Sequence, residues 1–372
     1  MALPCQTAAN PKLIVMATIL DRLAYGAAQG ARVSWYVGQK LLAARLADPA
    51  PPAGTTGSGE PAPSSGPMPD VRRILRDLGA LLARDLRNVE AGYYALPVDL
   101  IDNPVAALRR SRRFFADLPH VTERRRAARN SEVFDPARRS RYPRYYLQNF
   151  HYQTDGWLSH DSAALYDHQV EVLFSGGADA MRRQGLVPLY REVLRRGGVS
   201  GMKLIDVACG TGRFLREVKN NYPRLDVTAL DLSPYYLDAA RRNLADWSRT
   251  GFVEAAAESM PLPDGAYDVA SCIYLFHELP RKQRRLVARE IARILKPGGL
   301  LILIDSLQRG DEPDYDGLLD YFPHSFHEPY FTDYVREDLA ALFGETGLAA
   351  EESTLAYFSK VATFRKAGAA TS

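Results

Sequence analysis

Two carboxylates and one glycine turn are the residues of this chain whose types and spacing best suit chemistry. In "LIDVACGTGRFL" (204–215) apolar residues run past Asp206 into Gly210-Thr211-Gly212, and an apolar, helix-like run follows. Glycines at the end of a buried strand let the backbone approach a ligand with no Cβ in the way. In an open α/β sheet that is where ligands bind. The dinucleotide form of the turn, Gly-x-Gly-x-x-Gly, uses its third glycine for close helix packing and sets a pyrophosphate on the helix N-terminus. Here the third position is Leu215. NAD is therefore disfavoured, and a ligand with a ribose but no pyrophosphate suits the turn better. The segment "DVTALDLS" (226–233) supplies a ribose partner. Asp231 stands 19 residues after Gly212, close to the spacing of about 20 at which an acidic side chain takes both ribose hydroxyls. A role for Asp231 as the cap of a helix starting at Pro234 is the weaker reading, because Ser233 is the better cap.

These residues need a sheet to hold them. Beyond Gly198 apolar strands alternate with helical stretches: strand 203–209, helix 214–220, strand 226–231, helix 234–247, strand 251–256, strand 267–274, helix 281–295 and strand 299–306. Buried strands separated by helices predict a doubly wound, Rossmann-like parallel sheet. The tail departs from that rhythm. A helix is predicted over 333–345, and "AAEESTLAYFSKVATFRK" (349–366) reads as two strands with no helix between them, an antiparallel hairpin that brings the sheet to seven strands.

Upstream the chain is helical. Residues 1–47 read as an N-terminal helix, 48–70 as a flexible Pro/Gly/Ser linker that cannot bury enough surface to offset its ordering entropy, and 71–198 as a helical cap and substrate lid, with helices at 71–90 and 104–118. The last unit, 199–372, holds the ligand-binding sheet. The apolar run at 13–20 is far short of the roughly 20 residues a membrane span requires, and neither a span nor a signal peptide is expected. A net charge of +3 over 372 residues argues against a dedicated nucleic-acid binder. Three scattered cysteines, Cys5, Cys209 and Cys272, make no disulfide framework or zinc site. A cytoplasmic setting is expected.

Taken in order, "DVACGTG", "ALDLS", "SMPLPDGAYDVA" and "ILKPGGLLILID" resemble the class I S-adenosylmethionine-dependent methyltransferases, nearest to the branch of the menaquinone and ubiquinone C-methyltransferases; the likeness covers roughly 200–308. It implies S-adenosylmethionine as cofactor. It also implies cofactor-binding roles for Asp206, Ala208, Gly210 and Gly212 around the first turn, Asp231 at the ribose, and Leu232 beneath the adenine. Ala257, Glu258 and Ile273 complete the set. The family's third-strand motif places an acid where this chain has Ala256, so only backbone contacts at Ala257 are expected at the adenine amine. Cys209 reads as packing.

The segment "CIYLFHELP" (272–280) should face the transferable methyl group, making Tyr274 and His277 the catalytic candidates. An imidazole near neutral pH can take an acceptor's proton, or His277 orients the substrate or caps the helix near Pro280. Methyl transfer from a sulfonium is an in-line displacement that needs no metal. Two segments outside the sheet carry substrate-binding candidates: Tyr146, Asn149, His151 and Tyr152 in "RYYLQNFHYQTDGWLS" (144–159), and His327 and Tyr330 in "LLDYFPHSFHEPYFTDY" (318–334). Aromatic bodies with polar tips suit a pocket that needs shape and a few hydrogen bonds. The His-x-x-His-Glu spacing of His324, His327 and Glu328 has no strand or helix context to make it a metal site, and none is expected.

The expected activity is methylation of a small organic acceptor at O, C or S. The rival readings are an RNA or protein methyltransferase docking through the 12 arginines of 109–144, and a non-catalytic binder of the cofactor. The helical region shapes the acceptor pocket or the interface of a homodimer.

Overall fold

The computed structural model describes residues 19–46, 66–97 and 103–368. Most of the linker expected at 48–70 therefore lies outside the described residues, as do Cys5 and the apolar run at 13–18. The sheet has seven strands: β1 (Lys203–Val207), β2 (Asp226–Asp231), β3 (Thr250–Glu254), β4 (Tyr267–Ile273), β5 (Leu295–Ser306), β6 (Leu348–Ala356) and β7 (Ser359–Lys366). Their order is β3-β2-β1-β4-β5-β7-β6. Strands β1 to β5 pair in parallel, and β7 runs antiparallel to both β5 and β6. The predicted doubly wound sheet closed by a hairpin is what the chain builds.

Alternation along the strands explains why both faces are covered. Leu204, Val227, Ala229, Val269, Leu300 and Ile302 pack on one face. They meet α6 (Leu186–Arg195), α7 (Arg213–Asn221) and α8 (Pro234–Asn243) there. Ile205, Val207, Leu230, Ala270, Cys272, Leu301 and Leu303 point the other way. They pack against α9 (Arg281–Ile294) and, past α10 (Asp316–Ser325), against α11 (Phe331–Tyr334) and α12 (Leu339–Gly344). A strand buried on both faces reads as a continuous apolar run, which is why these strands were visible in the sequence.

Several boundaries differ from expectation, each for a local reason. The helix expected to reach 295 gives way to β5 at Leu295. Pairing then jumps from Tyr267–Leu295 to Val269–Leu300, because Pro297 cannot continue a ladder and Gly298 turns at φ 73°. The helix expected over 333–345 is two helices, because Asp338 starts a new one by accepting from the Ala341 amide at 3.0 Å. Conversely, α3 (Pro104–Arg126) continues through Pro119 well past the expected end at 118.

The helical extension is bound to the sheet by packing and by buried charge. Leu78 and Leu81 of α2 (Val71–Glu90), Val170 of α4 (His160–Leu173), and Ala178 and Met181 of α5 (Ala178–Arg183) share one apolar cluster with Ile304, Ala356 and Val361. Asp85 of α2 is fully buried. It accepts from Arg183 Nη2 at 2.7 Å, from Tyr25 of α1 (Ile19–Leu46) at 2.6 Å and from Tyr94 at 2.7 Å. Three donors on one buried carboxylate satisfy its charge and fix the mutual placement of α1, α2 and α5.

Candidate active site

The strand order reverses direction between β1 and β4, and a crevice at the carboxyl ends of strands is expected at such a point. A cleft of about 770 Å³, open solvent at its mouth included, lies there. Its floor is made of strand ends: Ala208 and Gly210 after β1, Leu230 and Asp231 on β2 with Leu232 after it, Ala257 and Glu258 after β3, and Ile273 on β4 with Tyr274 and Leu275 after it. Its walls and roof are aromatic, from Tyr145, Tyr146, Trp157, Tyr166 and Tyr236.

The floor is built on unusual backbone. Ala208 (φ 58°) and Tyr274 (φ 56°) are non-glycine residues in the left-handed region, a conformation that persists where surrounding structure enforces it and clusters at functional sites. It also ends β4 one residue earlier than expected. The two glycines of the turn have different tasks. A Cβ on Gly210 would meet nothing within 4 Å, whereas one on Gly212 would sit 3.2 Å from Ala240 Cβ and Leu244 Cδ1 of the α8 segment. Gly210 therefore leaves open space on the cleft that it lines. Gly212 does not border the cleft as expected; it starts α7 and lets that helix close on α8. Thr211 Oγ1 donates to both carboxylate oxygens of Asp167 at 2.9 Å, tying the turn to α4.

Asp231 ends β2 with its carboxylate against the turn. Its Oδ2 accepts from the Gly210 amide and its Oδ1 from the Ser233 amide, each at 2.8 Å. Burial pushes its carboxyl up to about 6, against the pull of those amide bonds. Ser233, not Asp231, caps α8, its Oγ accepting from the Tyr236 amide at 3.3 Å. Asp206 is buried beneath the turn rather than on the cleft surface. It accepts from Ser271 Oγ at 2.7 Å, and burial pushes its carboxyl up to about 7. Glu258 accepts from Tyr145 Oη at 2.7 Å, joining floor to roof. Ala256 does not line the cleft, in keeping with the missing carboxylate at that position. The Cys209 thiol is buried and pushed well above its usual range by desolvation, which suits packing.

Of the catalytic candidates, Tyr274 lines the cleft. Its hydroxyl is within 2.7 Å of Ser359 Oγ, and burial pushes it up to about 12. His277 stands behind the wall. Its Nδ1 donates to Asp305 at 2.6 Å. Burial pulls its pKa down, but Asp305, Glu278 and Glu328 outweigh that and hold it at about 9. It does not cap α9, whose cap position is Pro280 with no side-chain bond.

The substrate candidates divide. Tyr146 lines the cleft, and Tyr330 lines a neighbouring groove with Gln148 and Tyr145. Asn149 is fully buried and structural: its Nδ2 donates to Gln153 O at 2.9 Å and its Oδ1 accepts from the Glu132 amide at 3.0 Å. Tyr152 is buried against His327. His327 is held neutral between Asn130 Nδ2 at 3.3 Å and Gln148 Oε1 at 3.0 Å, with burial lowering its pKa. The side chain of His324 lies outside the described residues. His151 does not line the cleft; it contacts Glu328 and Glu278, the latter a cleft residue.

Sequence reasoning missed Trp157, Tyr166, Tyr236 and Glu278 on the cleft. Trp157 and Glu278 lay inside segments already singled out. Tyr166 and Tyr236 carry no signal beyond their place on amphipathic helices.

The fold is a doubly wound α/β domain of the class I methyltransferase kind, with its cleft at the carboxyl ends of the strands. Residues 204–299 match the family described as "Methyltransferase domain". It is similar to the ubiquinone/menaquinone biosynthesis C-methyltransferase UbiE of Methylobacterium nodulans, 31% identical over 40% of this chain and 58% of that one. The demethylmenaquinone methyltransferase of Thermotoga maritima is 32% identical over 39% of this chain and 58% of that protein. The chain thus spans rather more than half the length of these curated relatives. A solved structure, that of the pyocyanin biosynthetic protein PhzM, aligns with a TM-score of 0.41 at 16% identity, over 54% of this chain and 58% of that one. The cofactor of the class is S-adenosylmethionine. The cleft fits it: an acid stands at the end of β2 for a ribose, a glycine with open space above it lines the cleft, and Leu215, fully buried, replaces the glycine that a pyrophosphate-binding turn would use.

Proposed function

We propose that the protein transfers the methyl group of S-adenosylmethionine to a small, flat and partly apolar organic acceptor at O, C or S. The observation that carries this reading is the junction of Asp231 and Gly210 on the floor with an aromatic roof directly above. Bound there, S-adenosylmethionine supplies an electrophilic methyl on a sulfonium. The chain then has to align an acceptor with it and exclude water, and the roof serves both ends. Trp157 stacks on Phe150 with centroids 4.3 Å apart at 16°, and its carbonyl accepts from Ser233 Oγ at 2.6 Å. The aromatic wall is thereby fixed to the floor. Tyr274, on the floor, is suited to orienting the acceptor. His277, cationic and committed to Asp305, suits holding the 276–278 turn better than taking a proton.

The relatives' names speak of ubiquinone and menaquinone biosynthesis, and an acceptor with a quinone-like ring suits aromatic walls of this kind. The RNA-docking alternative is weakened by the engagement of three of the 12 arginines of 109–144 within the fold. Arg124 is spent on Glu132, the Tyr152 carbonyl and Thr154, Arg141 on Glu254, and Arg125 over the ring of Phe326. The test is incubation of the protein with methyl-labelled S-adenosylmethionine and a cell extract, beside Asp231→Ala. Label in a small-molecule fraction, lost in the variant, is expected. Label in RNA or protein instead would refute a small acceptor.

A further inference from the structure

Beside the cleft three elements bring together side chains that neither the fold nor the proposed transfer requires. His151 comes from the turn Phe150–Tyr152, Glu278 from the turn Phe276–Glu278 after β4, and Glu328 from the loop between α10 and α11. Their ligating atoms lie within 4.8 Å of one another, and His151 Nε2 is 3.5 Å from Glu278 Oε1. Glu328 is 2% exposed and Glu278 7%. Among the described residues, Glu278 Oε2 and Glu328 Oε2 are buried with no hydrogen-bond partner, while His151 Nε2 and Glu328 Oε1 meet each other. Such atoms are rare in a folded interior and need a reason.

Charge gives one reason. The buried cluster holds three carboxylates, Asp305, Glu278 and Glu328, and two imidazoles, His277 and His151. Three carboxylates outnumber two imidazoles there, in a place that solvates charge poorly, and that favours a cation. Backbone strain gives the second reason. His151 (φ 56°) and Tyr152 (φ 55°) are both left-handed, and buried Asn149 holds the turn that aims His151 at the two acids. One imidazole and two carboxylates are donors that manganese, zinc and ferrous ions accept. Donor bonds of about 2.0–2.2 Å require neighbouring ligand atoms roughly 3 Å apart, near the His151–Glu278 separation.

We propose that His151, Glu278 and Glu328 form a binding site for a divalent transition-metal cation at the acceptor side of the cleft. Three protein ligands leave coordination positions open, and Glu278 itself lines the cleft, so an open position is available to an acceptor oxygen. Resting on the methyl-transfer reading, the cation would hold that oxygen and favour its deprotonated, nucleophilic form by Lewis-acid polarisation.

The test is direct binding of metal to the full chain after chelator treatment. Manganese would be followed by loss of the free-ion paramagnetic signal, with zinc as competitor, in wild type, Glu328→Gln and His151→Gln. The expected result is one saturable manganese per chain, displaced by zinc and weakened at least about tenfold by either substitution. S-adenosylmethionine binding in the same samples should stay intact. Absence of stoichiometric binding, or equal binding by wild type and both variants, would overturn the site. If Glu328→Gln fails to fold, the partly exposed His151 decides the matter. Metal binding without label transfer to any acceptor removes the methyl-transfer reading and leaves the metal site standing. Label transfer by metal-stripped protein that binds no manganese does the reverse.

Discussion

The floor and the roof of the cleft are built in opposite ways. The floor comes from strand ends that are neighbours in the sheet, and each functional atom there is set by backbone within a residue or two: Gly210 against Asp231, Ala208 and Tyr274 in forced conformations. The roof is assembled from side chains far apart in sequence, joined by packing and single hydrogen bonds such as Tyr145 to Glu258 and Ser233 to the Trp157 carbonyl. A floor of this sort can be conserved in geometry while the roof is exchanged. The difference predicts that floor substitutions weaken cofactor binding, whereas roof substitutions change which acceptor is used.

The sharpest way to break that contrast is Asp231→Ala. Loss of a charged hydrogen-bonding group of this kind costs about 1.5–3 kcal/mol, so cofactor affinity should fall roughly 10- to 150-fold by calorimetric titration. Unchanged affinity would remove Asp231 from the ribose site. Next come the two glycines, which should fail differently. Gly212→Ala places a Cβ against Ala240 at a positive φ and should lower stability by about 1–3 kcal/mol, visible as a drop of several degrees in melting temperature. Gly210→Ala, also at a positive φ but with open space around it, should lose less stability than Gly212→Ala and lose cofactor affinity as well.

A smaller effect is expected from pH. The Asp231 carboxyl, raised to about 6 by burial, is ionised above that pH and can accept from two ribose hydroxyls, while the protonated acid below it cannot accept at both oxygens equally. Cofactor affinity should therefore fall as pH drops through about 6, by up to roughly tenfold per unit. The same titration on Asp231→Asn should be flat, and a slope that survives in that variant would assign the effect elsewhere. The sign is reversed for the stability of the ligand-free fold. Because the folded Asp206 carboxyl lies near 7, above its ordinary 3.8, its ionisation costs stability as pH rises through that range. Asp206→Asn should consequently gain melting temperature over wild type at pH 8, and the gain should vanish near pH 4. The smallest change is Tyr145→Phe, which removes the bond to Glu258 and should shift the acceptor KM a few-fold with the cofactor constant unmoved. A large loss of cofactor affinity there would make roof and floor a single unit.

The parallel strands, the turn at Gly210, and Asp231 at its ribose spacing were legible in the sequence, because each depends on a period or a spacing within about thirty residues. The split of the 333–345 helix was written in Asp338 as a cap but masked by the apolar spacing around it. Other features had no local signature at all. That Gly212 serves packing rather than the ligand depends on Ala240, and that His277 is turned to Asp305 depends on a strand 28 residues onward. The meeting of His151, Glu278 and Glu328 depends on three connections far apart in the chain. Sequence by itself determined the sheet, the cofactor turn and the acid at its edge, since hydrophobic period and glycine conformation act locally. Which polar side chains share a buried site was decided only by the tertiary structure, because burial and charge balance arise when distant segments desolvate one another.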